Sequence, residues 1–79
     1  MSSFEDYFYK EIGNKIRHYR KLNGLTQEKL SELLGLNDKY IGHVERGERK
    51  ISIQKLIHLI EFFHINPKDF FTFDKPYTW

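Results

Sequence analysis

The chain has no cysteine, which excludes disulfides and thiolate metal sites and agrees with a reducing, cytoplasmic setting. No apolar run approaches the roughly 18 residues that a membrane span needs. The opening "MSSFEDYFYKEIG" is acidic and aromatic, not basic and then apolar, so no secretory leader is expected. No internal repeat, low-complexity segment or linker divides the sequence. The four histidines (18, 43, 58 and 64) lack the i, i+4 spacing with a carboxylate that would suggest zinc. No Ser/His/Asp or Cys/His arrangement and no carboxylate pair with reason to share a cleft argue for catalysis. Neither an enzyme nor a cofactor is expected.

What remains is a soluble composition in 79 residues, 39% hydrophobic and 30% charged. That length makes one small domain, marginally stable alone and helped by oligomerising. The net charge is only +2, but it is unevenly spread. Residues 14–50 hold nine Lys/Arg against five Asp/Glu, a net of +4. Residues 1–13 sum to −2 and residues 51–79 to zero. A cationic middle suits a polyanionic partner, although on charge alone a solvated charged surface is the better explanation.

Hydrophobic periodicity predicts five helices and no strand, an all-α class. Helix 1 runs from about Phe4 to Leu22, with Ser3 as N-cap, Glu5 and Asp6 in the first turn, and an apolar stripe of Phe8, Ile12, Ile16 and Tyr19. "NG" at 23–24 ends it. Thr26 caps helix 2, with Leu25 and Leu30 as a hydrophobic staple, and Gly35 turns the chain out of it. Gly35 and Leu36 alone then separate it from a third helix capped by Asn37, the short connection of a helix-turn-helix. Helix 4 starts at Ser52 and is expected to bury Ile53, Leu56, Ile57, Ile60 and Phe63. "NPKDFF" announces a fifth, with Asn66 as cap and Pro67 in its first turn.

Helix 3 carries the informative surface. At about 100° per residue, Asn37, Tyr40, Ile41, Val44 and Glu45 share one arc of 37–46. Asp38, Lys39, Gly42, His43 and Arg46 share the other, which is short, polar and partly basic. Its glycine is about 1 kcal/mol worse than alanine in a helix.

Residues 12–71 resemble the Cro/phage-repressor type, or XRE-like, helix-turn-helix domain. The resemblance rests on "IG-KIR--R" in helix 1, "LTQE-L" opening helix 2, "YI--VERG" in helix 3 and "NP-DFF" near the end. It implies a five-helix, lambda-repressor-like DNA-binding domain at 12–71, its helix-turn-helix at about 26–46. Residues 1–11 would then extend helix 1, and 72–79 form a C-terminal tail. It further implies a sequence-specific transcriptional regulator of double-stranded DNA. Such a regulator would be a homodimer, like small standalone repressors or restriction–modification controllers. No room is left for a small-molecule effector domain.

By position in that family, Asn37, Asp38, Lys39, Gly42 and His43 would meet base edges as the helix enters the major groove. Asn37 serves equally as a plain N-cap, Asp38 as a helix-dipole complement, and Gly42 as a tolerated surface glycine. Gln27, Tyr40, Arg46, Arg49 and Lys50, with Arg17 and Lys21 from helix 1, would touch phosphates. Arg20 and Glu45 resemble the family's internal ion pair. Phe62, Phe70, Phe73, Tyr77 and Trp79 exceed what the core can hold and would form a dimer surface, unless the tail packs on its own core. Phe8, Tyr19, Phe63 and Phe71 are expected inside. The rival reading is a protein-interaction or antitoxin-like module of the same fold, slightly favoured by the acids Asp38 and Glu48.

Overall fold

The computed structural model describes residues 3–73 and contains five helices. Helix α1 spans Phe4–Leu22 and opens on a reciprocal cap, with Ser3 Oγ accepting from the Asp6 N–H at 3.1 Å and Asp6 answering toward the Ser3 N–H. Asn23 caps its C-terminus and Gly24, at φ 67°, turns the chain away. Helix α2 spans Gln27–Leu33, with Thr26 Oγ1 accepting from the Lys29 N–H at 3.0 Å.

The exit from α2 sets the helix-turn-helix. Gly35 takes a left-handed φ of 69°, which lets the Leu36 N–H reach back to the Ser31 carbonyl at 2.8 Å. Two formerly unpaired helix carbonyls are satisfied by this reversal. Helix α3 begins later than the sequence suggests, at Tyr40, and ends at Glu45. Asn37 does not cap it: its Oδ1 accepts from the Lys39 N–H at 3.0 Å, and residues 38–39 form a turn. Asparagine favours such local side-chain turns, and this one competes with helix propagation.

Helices α4 (Ile53–Phe62) and α5 (Pro67–Phe70) close the domain. Ser52 and Asn66 cap them as expected. His64 takes the left-handed turn after α4, at φ 55°, a place where glycine would carry no side-chain penalty.

Ile12, Ile16, Leu30, Ile41, Val44, Leu56, Leu59 and Phe70 lead the core. Gly13 lets α1 touch α3: a Cβ built there would lie 2.8 Å from the Val44 carbonyl oxygen. The expected inward face of α4 needs correction. Leu56, Leu59 and Ile60 are buried, whereas Ile53 is 65% and Ile57 52% exposed. The contiguous apolar run 56–57 and 59–60 fits either orientation, and neighbouring helices decide which residues turn inward.

Two phenylalanines exchange roles. Phe70, expected at a dimer surface, is fully buried and stacks on Tyr19 with ring centroids 6.2 Å apart. Phe71, expected inside, is exposed at its edge. Phe73 packs on its own chain, edge-on to Tyr7 and Phe8. Phe62 stays exposed, while Tyr77 and Trp79 lie outside the described residues.

Candidate nucleic-acid interface

The site is assembled by three elements around one buried acid. Glu45, at the end of α3, accepts from Arg20 Nε at 2.7 Å and Nη2 at 3.1 Å, both from α1. Gln27 Nε2, from α2, donates to it at 3.0 Å, and Arg17 Nε at 3.2 Å. Arg20 also donates to the Leu25 carbonyl at 2.8 Å, fixing the turn between α1 and α2. Burial alone would raise the Glu45 pKa, but the Arg20, Gln27 and Arg17 contacts outweigh it and hold the carboxyl below its ordinary value. Ser31 adds a second tie. Its buried hydroxyl donates to the Gln27 carbonyl at 2.9 Å and accepts from the Ile41 N–H at 3.2 Å, pinning the start of α3 to α2.

This frame brings the expected polar arc together. Asp38, Lys39, Gly42, His43 and Arg46 line one surface concavity with Gln27 and Glu28. Asn37, Asp38 and Lys39 are exposed in the turn before α3. Arg46 and His43 share the carboxylate of Glu48, at 3.2 and 2.8 Å. Gly42 is not open: its Cα is covered by the ends of the Gln27 and Arg46 side chains. A backbone approach to a ligand at Gly42 therefore requires those two side chains to move.

The expected phosphate contacts fall into four groups. Arg46, Arg49 and Lys21 are exposed. Gln27 and Arg17 are engaged with Glu45, so they brace the frame before they meet any partner. Tyr40 is a correction. It is only 6% exposed and belongs to the core, with Arg49 and Lys55 lying over its ring at 4.9 and 5.0 Å. Its ring orders the cations, and it shares its arc of α3 with the buried Ile41 and Val44. Lys50 is ion-paired with Glu5 and lies over the Tyr9 ring at 5.5 Å, tying the loop after α3 to the start of α1.

A second concavity runs between α1 and that loop and gathers Lys10, Arg17, Arg46 and Lys50, with Asp6 at its edge. Lys10 was missed in the sequence. Its signal was present, since residues 10, 14 and 17 recur at helical spacing on one face of α1. Ser31 gave no such signal, because a serine inside a helix looks like any tolerated polar residue. Among the described residues no cluster of His, Asp or Glu could hold a metal ion, and no helix is long and apolar enough to cross a membrane.

The helix-turn-helix family (HTH_3) matches residues 16–70. The chain belongs to it. Control protein C.SmaI of Serratia marcescens is 49% identical over 51 residues, covering 63% of this chain and 61% of that protein. The chain thus aligns with only about three-fifths of that relative's length. The restriction–modification controller protein C.AhdI from Aeromonas hydrophila superposes with a TM-score of 0.71 at 36% identity, covering 80% of this chain and 96% of that one. The controller protein C.Esp1396I, solved as a tetramer with its natural 35-base-pair operator, gives 0.71 at 27% identity, over 89% and 88% of the two chains.

Proposed function

We propose that this protein is a cytoplasmic, sequence-specific regulator of transcription that binds double-stranded DNA as a restriction–modification controller does. The observation that carries this reading is the concavity formed by Asp38, Lys39, Gly42, His43 and Arg46, held by the buried Glu45 frame. In this motif the second helix of the pair enters the major groove, about 12 Å wide. Lys39 and His43 are the base readers best placed on it, with Asn37 and Asp38 beside them. Arg46, Arg49 and Lys21 supply phosphate contacts, joined by Lys10, Arg17 and Lys50 from the second concavity. The acid Glu48 does not argue for a protein-interaction module, because it is already paired with Arg46 and hydrogen-bonded to His43 within the chain.

The working unit is a homodimer on two half-sites about one helical turn, ~34 Å, apart. Its surface is the apolar face of α4 and α5, where Ile53, Ile57 and Phe71 are exposed around a concavity walled by Leu56, Ile60 and Pro67. The fit to a controller solved as an operator-bound tetramer supports self-association. Binding to random duplex DNA at increasing salt tests the whole reading. Four to eight phosphate contacts give a log–log slope of about −4 to −7. A slope near zero would return the fold to protein adaptors.

A further inference from the structure

The loop after α3 places an acid against two side chains of the DNA-reading surface, His43 and Arg46. Gly47, at φ 75°, folds the chain back on α3 so that the Glu48 N–H donates to the His43 carbonyl at 2.8 Å. The same reversal sets Glu48 Oε1 2.8 Å from His43 Nδ1 and 3.2 Å from Arg46 Nε. Hydrogen bonds from His43 and then Arg46 hold the Glu48 carboxyl below its ordinary value, so near neutral pH it only accepts. An acceptor at 2.8 Å requires the hydrogen on His43 Nδ1. A neutral imidazole carries one ring hydrogen, which leaves Nε2, at the far side of the ring, bare and able to accept.

We propose that Glu48, by fixing this tautomer, decides which bases His43 reads. With the ring neutral, Nε2 accepts from the exocyclic amine of adenine or cytosine in the major groove. With the hydrogen on Nε2 instead, that atom would donate to guanine O6 or N7. Glu48 is a positioning residue and His43 the reader. Glu48 contacts the ring directly, and Glu28, Asp38, Lys39 and Arg46 line the same concavity as His43. This inference rests on the DNA-binding function proposed above.

The test uses the full chain and a random pool of duplexes, selected near neutral pH. His43→Ala identifies the operator position that His43 reads. There the unaltered protein enriches adenine or cytosine over guanine by about fivefold to tenfold, the size of one hydrogen bond. Glu48→Gln, whose amide offers Nδ1 a donor as well as an acceptor, loses the preference at that position alone. Long-range proton–nitrogen spectra of the free protein near neutral pH show a bare His43 Nε2.

A bare Nδ1 in those spectra would overturn the inference without any DNA. So would a His43-dependent position that ignores Glu48→Gln, or a Glu48→Gln effect equal on all sequences. Enriched duplexes with one of those outcomes leave the proposed function standing. Failure to enrich any duplex removes that function and this inference together.

Discussion

Arg20 and Glu45 meet at two points, 2.7 Å from Nε to Oε2 and 3.1 Å from Nη2 to Oε1, joining the middle of α1 to the end of α3. Both residues are buried. The pair is therefore worth more as a fixed geometry than as an attraction, because desolvating two charges offsets much of their Coulomb gain. Removing one partner leaves the other charged and enclosed. Glu45→Ala should cost about 3–5 kcal/mol, a large part of the stability of so small a domain. Urea unfolding measures it.

The same carboxylate makes stability depend on acidity. Its folded pKa lies below the ordinary 4.5, so the unfolded chain takes up the proton first as pH falls. The contribution is complete above about 4.5 and drains away as pH drops through the depressed folded value. Between about pH 6 and pH 3 the urea midpoint should fall more steeply in the unaltered protein than in Glu45→Gln. Parallel curves would mean that Glu45 titrates alike in both states.

Gly13 and Gly42 should respond differently to the same change. A Cβ at Gly13 would meet the Val44 carbonyl oxygen at 2.8 Å and the Glu45 carbonyl oxygen at 3.1 Å, and backbone cannot step aside. A Cβ at Gly42 would meet Gln27 Oε1 at 2.9 Å and an Arg46 nitrogen at 3.1 Å, both ends of flexible side chains. Gly13→Ala should lose about 1–3 kcal/mol through overpacking, despite alanine's helix preference of about 1 kcal/mol. Gly42→Ala should stay within about 1 kcal/mol of the parent. Thermal melts of the two variants decide it.

Local chemistry made most of the architecture legible. Caps at Ser3, Thr26, Ser52 and Asn66, and the stops at Asn23–Gly24 and Gly35, are short-range signals, and the structure uses each of them. Orientation was harder to read. The hydrophobic run in α4 does not say whether Ile57 or Leu59 faces inward, since that depends on α1 and α5. "DFF" likewise does not say which phenylalanine enters the core. The polar arc of α3 was legible from periodicity even though the helix starts at Tyr40, because a turn over 38–39 keeps Asp38 and Lys39 on the same side. The side-chain partners that bind the site into a unit, Ser31 and Glu48, were not. Their roles come from contacts that no spacing rule encodes.

Lys39 and Arg49 should separate reading from holding. Lys39 is exposed in the turn that opens α3. Its loss should weaken specific binding by about 1–3 kcal/mol and relax preference at one base position. Arg49 is held over the Tyr40 ring in the loop beyond α3. Its removal should weaken binding on all duplexes alike and flatten the log–log salt slope by about one. Fluorescence anisotropy titrations on matched and scrambled duplexes at several salt concentrations distinguish the two. Equal losses on every duplex would take Lys39 out of base reading, and an unchanged slope would take Arg49 out of the phosphate set.

The proposed dimer surface can be tested at Ile57. Ile57 is half exposed on α4, beside Ile53 and Phe71, so an acid there contacts solvent in a monomer and costs little stability. Buried against a second copy, the same carboxylate would be unpaired in an apolar seam, which interfaces do not tolerate. Ile57→Asp should therefore keep the helical circular dichroism of the parent while sedimenting as a monomer at tens of micromolar. The loss of linkage between half-sites should then weaken operator binding by about 100-fold or more, with single half-sites bound as before. If Ile57→Asp remains dimeric, the exposed isoleucines are not the seam, and Phe62, on the opposite side of α4, becomes the residue to change.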